Sequence, residues 1–181
     1  MSQDPLEWRP VVEAFTRRAR ASFERAESVA GRLGHDSVRA AHVLLALLGP
    51  APSRARQMLD AWGHDRVEVA DALREELTSH DEPPERMEVP PLPLSDSTRR
   101  LLGEAIVASS TLRHDHLGTE HLLLGMNHDS GRVGEVVRSL GVTSSMVDGW
   151  VRVRPPLGRR RKISATQRIE LLRRLRFSTS G

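Results

Sequence analysis

The sequence predicts an all-α fold: two pseudo-symmetric four-helix repeats packed as one compact domain, followed by a basic C-terminal tail with a helix-forming pattern. Three observations carry this reading. Two sets of segments about 79 residues apart repeat each other. The first set is Phe15-Thr16-Arg17-Arg18-Ala19, Leu33-Gly34-His35, Val38 and His42-Val43-Leu44-Leu45-Ala46-Leu47. The second is Leu94-Ser95-Asp96-Ser97-Thr98, Leu112-Arg113-His114, Leu117 and His121-Leu122-Leu123-Leu124-Gly125-Met126. Apolar residues recur at steps of three and four, the period of an amphipathic helix. Aromatic residues are only 3% of the chain, and β-branched residues are few in the apolar runs, which leaves little of the usual material of strands.

The elements follow in order. Ala19, Phe23, Ala26, Ala30 and Leu33 share one helical stripe, and Thr98, Leu102, Ala105, Ser109 and Leu112 repeat it in the second copy. The runs Val43 to Leu48 and His121 to Met126 are apolar all round, as suits a short helix buried among others. Third helices bear Ala55, Met58, Leu59 and Trp62, then Val133, Val136, Val137 and Leu140, at a spacing of 78. Gly63 and Gly141 stop them. Fourth helices are expected at about Arg66 to Thr78, with Val69, Leu73 and Leu77, and at Ser144 to Val153, with Val147, Trp150 and Val151.

The predicted organisation is an N-terminal extension (1–14), a first repeat (15–79), a Pro-rich linker (80–93), a second repeat (94–153) and a basic tail (154–181). The linker prolines forbid a helix and favour an extended strap. In the tail, Ser164 and Gln167 form a capping box ahead of a narrow apolar edge of Ile169, Leu172 and Leu175.

With 181 residues the chain has material for one sizeable core or two small ones. There is no cysteine, no apolar run long enough to span a bilayer, and no charged-then-apolar leader at Met1-Ser2-Gln3-Asp4-Pro5. The expected compartment is the cytoplasm. Net charge is +3, distributed unevenly. From Arg152 onward ten Arg or Lys face one acid, Glu170, while positions 1 to 151 hold 17 basic and 23 acidic residues. An acidic body carries a basic tail.

At the segments quoted above, the chain resembles the double-repeat N-terminal domain of Clp-type unfoldases. Phe15-Thr16-Arg17-Arg18-Ala19, Leu33-Gly34-His35 and above all Gly118-Thr119-Glu120-His121-Leu122-Leu123-Leu124-Gly125 match that family's repeat pattern, over about residues 15 to 153. No Gly-x-x-x-x-Gly-Lys-Ser/Thr occurs, and the only lysine is Lys162, so no ATPase phosphate loop is present in this sequence. The resemblance implies a stand-alone, non-enzymatic recognition module without a cofactor. Such a module binds peptides, adaptors, substrate proteins or phosphorylated arginine, and its partners are Clp unfoldase and protease components.

The resemblance also implies where recognition resides: at the hydroxyl after the leading aromatic and at the glutamate of Gly-Thr-Glu-His. Carried over, these are Ser95 and Glu120 in the second repeat, with Thr119 capping the helix. In the first repeat Thr16 remains, but Arg39-Ala40-Ala41 replaces Gly-Thr-Glu. The second repeat is therefore expected to bind and the first to support it. The competing reading makes Ser95 and Thr119 plain helix caps and Glu120 a favourable charge at a helix start.

Other chemistry is not expected. His35 and His42 recur as His114 and His121, which points to a packing motif rather than a metal site, even with His116 nearby. No cysteine nucleophile and no Gly-x-Ser-x-Gly elbow exist, so no catalytic residue is assigned. In the tail, Arg159, Arg160, Arg161, Lys162, Arg173 and Arg174 are candidates for an interaction. Four readings compete: a solvated tail, docking onto the acidic body or a protein partner, nucleic-acid phosphates, and an anionic membrane surface. With Phe177 the tail's one aromatic, base stacking has little to work with. No membrane partner is predicted.

Overall fold

The chain is described by a computed structural model covering residues 8–50, 52–78, 91–154 and 162–177. The first repeat holds α2 (Arg17–Arg32), α3 (Ala40–Leu47), α4 (Arg54–Ala61), α5 (Arg66–Ala72) and α6 (Arg74–Leu77), preceded by α1 (Arg9–Glu13). The second holds α7 (Asp96–Thr111), α8 (Thr119–Met126), α9 (Arg132–Ser139) and α10 (Ser144–Val153), followed by α11 (Ala165–Phe177). The helix expected over Arg66 to Thr78 is broken at Leu73, whose buried side chain joins the core. Most of the strap at 80–93 lies outside the described residues.

Local chemistry sets the helix ends. Thr16, Ser53, Ser95 and Thr143 cap α2, α4, α7 and α10, each hydroxyl accepting a first-turn backbone N–H. Gly34, Gly63 and Gly141 close helices in the left-handed region with φ of 72°, 81° and 66°. Arg113 occupies the place of Gly34 in the second repeat and holds the same left-handed conformation at φ 55°.

The repeats interlock rather than sit side by side. The Thr16 N–H donates to Leu117 O at 2.8 Å, and the Ser95 N–H donates to Val38 O at 3.1 Å, so the head of each repeat binds the other's loop. Likewise α4 packs on α8 and α9 packs on α3. A parallel bridge between Val38 and Leu94 accompanies these contacts. Both copies need this exchange, since helices as short as α3 and α8 are marginal without tertiary cover. Every residue of α8 is buried.

Helices α7 and α8 approach closely because Gly125 lacks a Cβ. A methyl there would sit 2.5 Å from Leu101 O and 2.9 Å from Ala105 N, both rigid backbone. We expect Gly125→Ala to destabilise the fold by about 1–3 kcal/mol through overpacking, visible as a lower urea midpoint with an unchanged slope. A midpoint at or above that of the parent would show that the two helices separate freely.

Two elements flank the repeats. Helix α1 falls in the expected extension, where five residues are too few to display a period. Trp8, Val11 and Val12 are nevertheless buried, and Trp8 Nε1 donates to Leu92 O at 3.1 Å. Helix α11 begins at a reciprocal box: the Ser164 N–H donates to Gln167 Oε1 at 2.8 Å and the Gln167 N–H to Ser164 Oγ at 3.2 Å.

The apolar edge expected on α11 is rotated. Ile169 is 68% exposed, while Arg168, Leu171 and Leu175 face α7 and Leu172 is partly buried. Arg168 decides the rotation by donating to Ser109 Oγ at 2.8 Å, to Ser110 Oγ at 3.3 Å and to His114 O. Its charge thus meets the C-terminal end of α7, where carbonyls lack partners. No helix of the described residues is long and apolar enough to cross a membrane.

Candidate functional site

The interlock places the expected site residues in two crevices, each built across the repeats. Thr16 stands beside Leu117 to Glu120, and Ser95 stands beside Val38 to Ala41. The expected pairing of Ser95 with Glu120 inside one repeat is therefore corrected. Spacing along the chain could not reveal which loop each head would meet.

Beside the Thr16 head lies a cavity of about 330 Å³ lined by Arg17, Arg18, Ala21, Arg25, Pro52 and Ser53, while the side chains of the facing loop turn inward. Thr119 does not cap α8, whose N-cap is Gly118; its hydroxyl instead accepts the Ala55 N–H of α4 at 3.2 Å. Glu120 is 1% exposed and faces His116, with Oε1 2.9 Å from Nε2. The other ring nitrogen of His116 lies 3.3 Å from Asp115 Oδ1, so each ring nitrogen faces a carboxylate oxygen. Burial raises the Glu120 carboxyl, but the hydrogen bond with His116, together with the electrostatic influence of the neighbouring histidines, outweighs it and holds it at about 2.

Gly118 completes this arrangement. A Cβ there would lie 2.3 Å from Glu120 Oε2, so the carboxylate folds back over a position open only to glycine. Gly118, Glu120 and His116 are thus a set. The first repeat differs at all three places, with Arg39, Ala41 and Ser37. That joint difference identifies a buried, compensated pair rather than an exposed ligand-binding carboxylate.

The histidines common to both repeats form hydrogen-bonded relays. His42 Nδ1 accepts the Arg39 N–H at 3.0 Å, and His121 Nδ1 accepts the Gly118 N–H at 2.9 Å. Each therefore takes the neutral Nε2–H form, which donates onward to His35 Nδ1 at 2.7 Å and to His114 Nδ1 at 2.9 Å. His114 Nε2 then lies 3.5 Å from Asp148 Oδ1. Burial, with His35 and Arg39 beside it, lowers His42 to about 4. Burial also lowers His121 to about 3; the Glu120 carboxylate opposes this, and His116, His114 and Arg168 reinforce it. Donor atoms of His114, His116 and His121 lie within 4.8 Å of one another, but these rings are already engaged by each other, by backbone or by carboxylates.

The pseudo-equivalent crevice, at Ser95, is open. It is a cavity of about 300 Å³ lined by residues that include Arg39, Ala41, Ser95, Ser97, Arg100 and Arg132. Ala40 and Ala41 stand where the other repeat has Thr119 and Glu120. Ser95 Oγ lies 2.9 Å from Ser97 Oγ and 3.0 Å from Thr98 Oγ1, and Thr98 Oγ1 donates to Val38 O at 2.8 Å. Sequence reasoning missed Arg39, Ser97 and Arg100. The readable signal was Arg39 itself, a cation where the other copy has glycine.

Of the expected tail residues, Lys162 lies 4.0 Å from Asp115 Oδ2, and Arg173 and Arg174 pair with Glu170 at 2.9 and 3.1 Å. None of the three lines the open cavity. Arg159, Arg160 and Arg161 lie outside the described residues.

Two interlocked helical repeats with a crevice at each head define an all-α, double-repeat domain. The family model of the Clp repeat (R) N-terminal domain matches residues 14–140, and the chain belongs to that family. A ClpA homolog described as an ATP-dependent Clp protease ATP-binding subunit, from Cyanidium caldarium, is 33% identical over 135 residues. That match takes in 72% of this chain and 15% of the relative. Chloroplastic ClpC2 of Oryza sativa subsp. japonica is 31% identical over 144 residues, covering 77% of this chain and 15% of the relative. The chain thus spans about a seventh of the length of these relatives.

Among solved structures, the N-terminal domain of ClpD from Arabidopsis thaliana superposes with a TM-score of 0.56 at 25% identity, covering 78% of this chain and 99% of that one. The ClpV N-domain of Vibrio cholerae gives 0.63 at 20% identity over 82% and 89%. A ClpV N-domain in complex with a VipB peptide gives 0.57 at 20% identity over 83% and 96%.

Proposed function

We propose that this chain is a non-enzymatic recognition module that binds peptide segments of adaptors or substrate proteins, phosphorylated arginine among them, and so modulates a Clp chaperone–protease system in the cytoplasm. The observation that carries this is the cavity at Ser95, where Ala40 and Ala41 stand in place of the inward-turned Thr119 and Glu120 of the other repeat. Hydroxyls and guanidinium groups at its wall suit a phosphate, while Glu76, also at the wall, suits a cationic group. The peptide-bound ClpV N-domain shows that a domain of this fold takes a peptide. Nucleic-acid binding through the tail is the weaker reading, because Lys162, Arg168, Arg173 and Arg174 already contact groups of this chain.

The test combines calorimetry and capture. Phosphoarginine should give heat at millimolar concentration, and the tagged chain should retain Clp unfoldase subunits or their adaptors, identified by mass spectrometry. Both signals should fall for Ser97→Ala/Arg100→Ala, which alters the cavity wall at partly exposed and exposed positions. Absence of heat together with absence of any Clp component would sink the reading.

A further inference from the structure

We infer that the open cavity selects an anionic side chain, a carboxylate or a phosphate, presented on a peptide, and that it requires no arginine in the ligand. This rests on the peptide-recognition reading above and narrows it. The two crevices are related by the repeat, so each wall position in one has a counterpart in the other, and the charges can be compared place by place.

At the place of Glu120 the open cavity has Ala41, and at the place of Gly118 it has Arg39. At the place of Ala21 it has Arg100. Elsewhere the exchange runs the other way, with Ser97 in the place of Arg18, so the cationic groups of this wall are Arg39, Arg100 and Arg132. Arg39 and Arg100 form no salt bridge among the described residues. Two acids, Glu76 and Asp129, share the wall with three arginines, which leaves the cations in excess. The Asp129 carboxylate accepts the Gly131 N–H at 3.1 Å and the Gly134 N–H at 3.3 Å, so it is engaged in capping α9. Arg132 is likewise engaged, with Glu135 Oε2 at 3.2 Å and Ala72 O at 3.2 Å. Arg39 and Arg100 thus share the wall with Glu76, Asp129 and Ser97.

Guanidinium groups bind carboxylates and phosphates with paired, charge-assisted hydrogen bonds, and a half-enclosed wall weakens solvent screening. A volume of about 300 Å³ admits one or two side chains rather than a large cofactor, which favours a peptide as the carrier. A ligand's own guanidinium would meet Ala41 where the other repeat keeps Glu120, beside the Arg39 cation. An arginine in the ligand is therefore no advantage here.

Fluorescence anisotropy on the full chain tests this with four versions of one labelled peptide, carrying serine, phosphoserine, glutamate or phosphoarginine at its centre. Phosphoserine and glutamate should bind at least tenfold more tightly than serine and no more weakly than phosphoarginine, with affinity falling as salt rises. Arg39→Glu/Arg100→Glu should abolish the advantage while leaving the helical circular dichroism intact. Preference for phosphoserine alone would name phosphate as the source and for glutamate alone carboxylate, either supporting the inference. Equal binding of all four, or binding of phosphoarginine alone, would overturn it while leaving peptide recognition standing. If no peptide of any kind binds, peptide recognition fails, and this inference fails with it.

Discussion

His116→Ser is expected to cost about 3–5 kcal/mol of folding stability, because it strands the buried Glu120 carboxylate without its hydrogen-bond donor. Glu120→Ala is expected to cost nearly as much by leaving the buried His116 ring without its hydrogen-bond partner. The double change His116→Ser/Glu120→Ala installs the Ser37 and Ala41 pattern of the first repeat, and it should cost less than either single change. In a double-mutant cycle by urea unfolding, the coupling should exceed about 2 kcal/mol. Additive effects would show that the pair is not an energetic unit. The expectation follows from desolvation: one unpaired buried charge is worse than none, and the first repeat folds the same segment with none.

Acid should unfold this protein from unusually mild pH. His42 at about 4 and His121 at about 3 lie below the ordinary 6.5 of a histidine, so the unfolded chain binds protons first as pH falls. Stability from these groups is complete above pH 6.5 and is lost as pH drops toward 4 and then 3. Glu120, held at about 2 against an ordinary 4.5, adds a loss in the same direction below pH 4.5. The two histidines together are worth about 4 kcal/mol between pH 7 and pH 5. Unfolding free energies measured at those two pH values should differ by about that amount, and His42→Gln should flatten the slope. Equal stability at both would mean that the relays accept protons without cost.

Much of the architecture was legible in residues. The stripes Ala19 to Leu33 and Thr98 to Leu112 became α2 and α7, and the apolar runs became the buried α3 and α8, because helical period and all-round burial are written in local order. Where a local pattern was short or ambiguous, it misled. The five residues of α1 show no period, and on α11 the choice between the faces of Ile169 and Leu171 was made by Arg168, a charged residue that pattern reasoning assigns to solvent.

The candidate site divides along the same line. From the sequence alone, the four positions Thr16, Ser95, Thr119 and Glu120 stood out, as did the disagreement between Thr119-Glu120 and Ala40-Ala41. Tertiary structure decided what the disagreement means. The head of each repeat lodges against the other's loop, so Ser95 faces Ala41 and Thr16 faces Glu120's segment. The carboxylate turns inward to His116, and the crevice without one is walled by Arg39, Ala41 and Arg100. Helical period and glycine stops depend on neighbours along the chain, and a reader of the chain sees them. Which residues wall each crevice depends on contacts between residues about eighty positions apart, and those exist only once the two repeats have closed on each other.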